Sequence, residues 1–171
     1  MPSITLSACT YVGPQAFEDC TSLSYVSLPQ LTTILSGVFR GCTSLKSIYF
    51  PSCTSVSKFA FAFCTALTSI SLPLCTNLDS YVFSGCTALS VVSLPQVPSI
   101  DTCTFAGCTG LKSIYLPECS YIGMDAFSSD TSLTLISAPK LTSVSLWAFA
   151  GCTALSSVYF PLLSQLDYGV F

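Results

Sequence analysis

The sequence predicts a repeat solenoid, in which about eight β-rich coils of 22 residues stack along one axis. The first observation is a motif that returns every 22 residues along the whole chain, and a fixed period in this range is typical of stacked repeats. The second is that single residue types hold their place in the period, as Thr43, Leu45 and Pro51 do with their counterparts. The clearest case is the Phe column, which consists of Phe17, Phe39, Phe61, Phe83, Phe105, Phe127, Phe149 and Phe171.

The composition indicates one domain with a long, narrow core. A length of 171 residues suits a single domain. Apolar residues make up 51% of the chain and charged residues 8%, yet no run of about 18 apolar residues is present that would span a bilayer. The net charge is -3 with only 5 Lys and Arg, so we expect no nucleic-acid partner and no membrane insertion.

Each coil is predicted to contain a short half-buried strand. In one repeat, Val26 and Leu28 alternate with outward Tyr25 and Ser27, which is the period-2 pattern of such a strand. Pro29 ends the strand because proline has no N–H for a ladder. Since one coil cannot bury its own apolar edge, we expect the coils to stack at about 4.8 Å.

The rest of the coil is predicted to turn and return. Leu31 and Ile34 are too close together for a long helix, so they indicate a bend or a second short strand. The following loop or single helical turn places Phe39 in the core. Gly41 suits a turn with positive φ, although the same column also holds Asp19, Phe63 and Ser129.

The repeat resembles the BspA-type leucine-rich repeat over the whole chain. The segment at 148–155 reads Ala-Phe-Ala-Gly-Cys-Thr-Ala-Leu and is close to an ideal copy of that motif. The resemblance implies a right-handed superhelix with a parallel β-sheet on one face, an extracellular or cell-surface location, and adhesion to host proteins, glycans or matrix. It supplies no catalytic residues. We expect no signal peptide in this sequence, and a single solenoid over 1–171 that is uncapped at both ends.

The cysteines fall into two columns of small apolar positions, so we expect mainly buried free thiols. Some disulfides between stacked neighbours remain an alternative, whereas a metal site is disfavoured because a linear ladder cannot surround a tetrahedral ion. Cys103 lies outside both columns and is expected to be the most exposed thiol. The first column holds Cys20, Cys42, Cys64, Cys86, Cys108 and Cys152, with Asp130 in the remaining place, and the second holds Cys9, Cys53, Cys75 and Cys119.

Outward tyrosines among serines on the strands are the main candidates for ligand binding. Aromatic anchors with small hydroxyls suit the recognition of a protein, peptide or glycan, although tyrosine is also simply a good strand residue. Phe59, Tyr81 and Trp147 form a second candidate patch. The candidate ligand-binding residues are Tyr25, Tyr49, Tyr115 and Tyr159, bordered by Lys46 and Lys112.

The sequence therefore favours a non-enzymatic binding or adhesion scaffold without cofactor or metal. The alternative is a structural protein that stacks head to tail into filaments, because an uncapped solenoid end exposes unpaired strand edges on which a second copy can stack. An enzyme is disfavoured. Asp79 and Asp101 are neighbours in one column but have no supporting histidine, arginine cluster or second acidic site. The Thr column is expected to bond backbone at a turn rather than to bind ice.

Overall fold

The computed structural model describes residues 2–171 and confirms the predicted solenoid. About seven turns of parallel strands follow one another, with each residue stacked on its counterpart 22 positions away. The described residues contain strands and turns but no α-helix. No segment of residues 2–171 therefore forms a helix that could cross a bilayer.

A first row of three-residue strands runs along the molecule, and its strands pair in parallel register within three separate sheets. Ile4 pairs with Val26, and Val26 pairs with Ile48, so the apolar strand centres form one column. The row consists of β1 (Ser3–Thr5), β2 (Tyr25–Ser27), β4 (Ser47–Tyr49), β6 (Ser69–Ser71), β8 (Val91–Ser93), β10 (Ser113–Tyr115), β12 (Leu135–Ser137) and β14 (Ser157–Tyr159).

A second row of two-residue strands confirms the second short strand and extends the prediction of a sheet on one face. Ile34 pairs with Val56, and Val56 pairs with Leu78, again in parallel. Two strand rows thus define two sides of each coil. The second row consists of β3 (Thr33–Ile34), β5 (Ser55–Val56), β7 (Asn77–Leu78), β9 (Ser99–Ile100), β11 (Tyr121–Ile122) and β13 (Ser143–Val144).

The third side of each coil is a turn segment whose backbone bonds directly to the next coil. Gly37 N–H donates to Lys58 O at 3.0 Å, and Gly41 N–H donates to Ala62 O at 2.8 Å. Both glycines have positive φ, at 65° and 69°. Phe39 N–H also donates to the next coil, at Ala60 O, whereas Val38 and Arg40 N–H bond within the turn. The backbone N–H groups of this segment are therefore satisfied without a strand.

The left-handed backbone recurs in both columns in every coil, whatever the residue. The positive φ predicted for the Gly41 column is confirmed. The sequence indicated only that the Cys103 column tolerates many residue types, but this column also has positive φ in every coil. Each non-glycine residue there costs about 1–2 kcal/mol of backbone strain. The non-glycine residues with positive φ are Gln15, Asp19, Phe59, Phe63, Tyr81, Cys103, Asp125, Ser129 and Trp147.

The Phe column forms the centre of the core, as predicted. Each ring stacks on the next with centroids between 5.4 and 5.6 Å apart, from Phe17 to Phe171. Phe50 adds a second contact, with its ring 5.8 Å from Phe39 and 6.1 Å from Phe61. Stacking of identical residues from coil to coil buries surface that one coil alone would expose.

Candidate binding surface

The candidate tyrosines lie on the outer side of the first strand row, which we call the strand face. Tyr49, Tyr115 and Tyr159 are exposed, and Tyr25 is at the border of exposure. Tyr25 and Tyr49 belong to adjacent strands, whereas Tyr115 and Tyr159 are separated by Ser137 of the strand between them. The structure therefore divides the four tyrosines into two pairs.

The bordering lysines are exposed, each three residues before a tyrosine in its own coil. Lys46 precedes Tyr49 and Lys112 precedes Tyr115. One expectation on this face was wrong: Ser27 is buried rather than outward-exposed. Its register neighbours are Thr5 and Tyr49, and a small side chain between larger ones is covered by them.

A shallow depression of about 480 Å³ opens on the strand face beside Tyr115. Val91 and Leu135 form its two sides, with exposed fractions of 59% and 42%. Ser113 lies between them in the same column, because Ser113 pairs with Leu135 and the coil of Val91 precedes it. The result is a small floor with hydroxyl groups between two apolar walls. The other lining residues are Ser90, Val92, Ile114 and Ser137.

Sequence reasoning missed Val91 and Leu135 as candidate residues. Their column holds serine at most other strands, as at Ser47, Ser69 and Ser113. A departure from serine to a large apolar residue at an outward position was the signal that would have revealed them. Exposed aliphatic side chains on both sides of a gap provide apolar contact that tyrosine and serine alone do not.

The second candidate patch is only partly assembled. The rings of Phe59 and Tyr81 stack at 4.8 Å, but two coils that carry Cys103 and Asp125 separate them from Trp147. The nearby Cys103 thiol raises the pKa of Tyr81. The structure thus forms an aromatic pair here rather than a continuous aromatic surface.

The cysteines are free thiols, and most of them are buried. In the first cysteine column, Cys64 Sγ donates to Phe39 O at 3.1 Å and Cys86 Sγ donates to Phe61 O at 3.1 Å. Burial raises the pKa of Cys86 to about 12. Thiols that are protonated and already bonded to carbonyls act as small core residues.

The expectation for Cys103 was wrong, because Cys20 is the exposed thiol and Cys103 is half-buried. Cys20 lies in the first coil that contributes to its column, so no earlier coil covers it. Burial raises the pKa of Cys103 despite the opposing effect of the nearby Tyr81 hydroxyl. A column position alone does not determine exposure at the first coil of a stack.

The threonine column and Asp79 form hydrogen bonds with nearby backbone groups. Thr65 Oγ1 donates to Thr43 O at 3.4 Å and Thr109 Oγ1 donates to Thr87 O at 3.4 Å, which confirms the expected backbone bonding of the Thr column. Asp79 Oδ1 accepts from Ser80 N at 2.8 Å. Within residues 2–171, no group of three or more Cys, Asp or Glu side chains is placed to hold a metal ion.

Comparison with protein families decides what this architecture is. The model of the BspA type leucine rich repeat region matches residues 1–97 and 76–171, with 6 copies of the repeat. The chain belongs to the BspA-type leucine-rich repeat family. It is therefore a leucine-rich repeat scaffold, and the resemblance seen in the sequence is confirmed. No curated protein sequence matches this chain.

Solved leucine-rich repeat proteins share the fold of this chain at low sequence identity. A leucine-rich repeat protein from Eubacterium ventriosum has a TM-score of 0.80 at 22% identity, over 86% of this chain and 42% of its own. One from Bacteroides ovatus has 0.66 at 25% identity, over 91% and 54%. A leucine rich cell surface protein from Faecalibacterium prausnitzii has 0.53 at 19% identity, over 87% and 69%. The chain thus spans less than two thirds of the first two proteins.

Proposed function

We propose that this chain is a non-enzymatic binding module that recognises an extended segment of a partner polypeptide on its strand face. The observation that carries the proposal is the depression between Val91 and Leu135, which has the size and apolar walls to take a partner's aliphatic or aromatic side chain. Tyr115 lies beside it as a rigid anchor, and tyrosine contributes large contact area at low entropic cost.

The second tyrosine pair and the lysines extend this surface. Tyr159 lies two strands beyond Tyr115 in the same column, or about 10 Å at the usual strand spacing. Lys112 at the rim supplies a charge for orientation, since rim charges contribute more to steering than to affinity. Tyr25 and Tyr49 lie far enough along the row to contact only a longer partner. An adhesive role at the cell surface suits the family and the cell surface protein among its structural relatives.

A peptide library displayed on phage tests this proposal. Peptides selected on the wild-type chain are expected to bind Tyr115→Ala and Leu135→Ser about 10 to 100-fold more weakly, the range of central anchor residues. Leu135→Ser introduces the residue that the chain itself uses in that column, so the fold is retained.

Tyr11→Ala is the matched control, because Tyr11 is exposed outside the strand face and its removal is expected to leave binding unchanged. Selected peptides that bind all three variants equally would show that the strand face is not the site. Binding to a glycan array with no peptide selected would assign the surface to carbohydrate instead.

The two end surfaces favour a second candidate function, head-to-tail self-association of this chain. One end has a depression of about 430 Å³ beside Ile4, Phe17 and Leu23. The other has one of about 440 Å³ beside Phe149 and Phe171. Both present the Phe column, so a second copy would continue the ring stack, and a heterologous contact of this kind generates filaments.

Light scattering over a concentration series tests self-association. The wild-type chain is expected to grow in size with concentration, whereas Leu6→Lys stays monomeric because it places a charge at the end surface. Leu74→Lys is the control, since Leu74 is similarly exposed, at 47% against 46% for Leu6, but lies on the side of a middle coil. A wild-type chain that remains monomeric throughout would contradict this function.

A further inference from the structure

The first cysteine column follows one hydrogen-bonding rule that a single residue breaks. Each buried thiol donates to the carbonyl of the Phe 25 residues earlier, as Cys86 does to Phe61 O and Cys108 does to Phe83 O at 3.3 Å. Beyond the interruption, Cys152 Sγ again donates to Phe127 O at 3.0 Å. By this rule, the side chain at position 130 is the one that donates to Phe105 O.

Position 130 holds an aspartate with no exposed surface. Its Oδ1 accepts from the Cys108 amide at 2.7 Å, while its buried Oδ2 has no partner within residues 2–171. The Cys108 amide also donates to Phe105 O at 3.0 Å, which brings the carboxyl group and that carbonyl to the same N–H. An ionised carboxylate and a carbonyl oxygen that accept from one amide repel each other, and a proton on Oδ2 would remove the negative charge behind this repulsion.

The surroundings of Asp130 do not balance a negative charge. The titratable groups that face it are the thiols of Cys108 in the preceding coil and Cys152 in the following coil. The described residues form two ion pairs, Arg40 with Glu18 and Lys140 with Glu118, and neither includes Asp130. A buried, unpaired carboxylate is costly, and such groups take up a proton instead. In agreement, burial raises the pKa of Asp130 to about 8, against the opposing effect of the backbone N–H bonds.

We propose that Asp130 forms a proton-sensitive contact between two coils, which we call the joint. Its neutral carboxyl donates to Phe105 O, as the thiols do elsewhere in the column. Loss of that proton weakens the contact between the two coils. The protonated group satisfies both Oδ2 and the carbonyl. The ionised group leaves a buried charge against a carbonyl oxygen. Leu133 N–H donates to Asp130 O at 3.0 Å, and β12, which carries Leu135, follows directly. The joint therefore lies in the coil that forms one wall of the strand-face depression.

The stability that Asp130 contributes changes with pH in a definite direction. The folded chain holds the Asp130 proton more tightly than the unfolded chain, whose carboxyl has an ordinary pKa of 3.8. The contribution of Asp130 to stability is therefore complete below about pH 4 and is lost as the pH rises to about 8. Deprotonation destabilises this joint, so the sign is opposite to that of an aspartate in an ion pair.

Denaturant unfolding between pH 5 and pH 9 tests the joint in three chains: wild type, Asp130→Asn and Asp130→Cys. Relative to Asp130→Asn, the wild-type unfolding constant is expected to rise about tenfold per pH unit up to about pH 7.5, since one proton is released. Asparagine keeps the shape and a neutral donor, and cysteine restores the rule of the column. Both variants are expected to lose this part of the pH dependence.

Carbon-13 NMR of the Asp130 side-chain carboxyl in the wild-type chain provides a direct second measurement. A titration near neutral pH or above supports the joint, and a titration near pH 4 overturns it even if a variant does not fold. Equal pH profiles for the three chains would overturn it as well.

Discussion

Replacing Phe105 with alanine is expected to lower the free energy of unfolding by about 3–5 kcal/mol, the range for truncation of a buried aromatic residue. Phe105 is fully buried, and its ring stacks on Phe83 and Phe127 with both centroid distances at 5.4 Å. The cavity cannot be filled easily, because the neighbouring rings belong to coils that are fixed by backbone hydrogen bonds. Urea denaturation followed by far-ultraviolet circular dichroism measures the loss.

The position of Phe105 has a second consequence. In a solenoid each coil contacts only its neighbours, so one weak interface divides the stack into two units. We therefore expect the Phe105→Ala transition to broaden or split. Phe59→Ala is the control, because Phe59 is partly exposed and stacks only on Tyr81; its cost is expected to stay below about 1 kcal/mol. Equal losses for the two variants would mean that the Phe column is not the main support of the core.

Thiol reactivity is expected to differ by about a thousandfold or more along the first cysteine column. At pH 8 a thiol with a pKa of about 12, as burial produces for Cys42 and Cys86, has roughly a thousandth of the thiolate of a thiol with a pKa of 9.0. Because Cys20 is exposed to solvent, it is expected to react at once with a disulfide reagent. The seven buried thiols are expected to react only as the chain unfolds.

Two variants and one titration make this measurement decisive. Cys20→Ser is expected to remove the fast phase, whereas Cys75→Ser, at a buried position, leaves it unchanged. In denaturant without reductant, all 11 thiols are expected to titrate. A lower total, or a large loss of stability on adding reductant, would show that stacked cysteines form disulfides.

The sequence by itself determined the period, the columns and thereby which residues stack. Because the coils stack in register every 22 residues, each residue lies against its counterparts in the preceding and following coils. The sequence alone therefore gives these contacts for all coils. This is why the Phe column, the strand of Tyr25 and the second strand of Ile34 were predictable. The buried thiols followed as well, because a column that accepts leucine, valine or cysteine must be small and apolar.

Only the tertiary structure decided exposure and backbone conformation within the columns. Ser27 is buried and Cys20 is exposed because burial depends on whether a neighbouring coil is present and on how large its side chains are. The pattern of residues within one column does not contain this information. Tyr81 keeps a positive φ of 62° while its N–H donates to Thr102 O of the next coil at 3.0 Å, so this bond between coils overrides the local preference of the residue. The depression beside Tyr115 arises where the residues of one coil differ from those of its neighbours, and so does the buried oxygen of Asp130 that has no partner within residues 2–171. The consequence of each difference depends on how the side chains pack between coils.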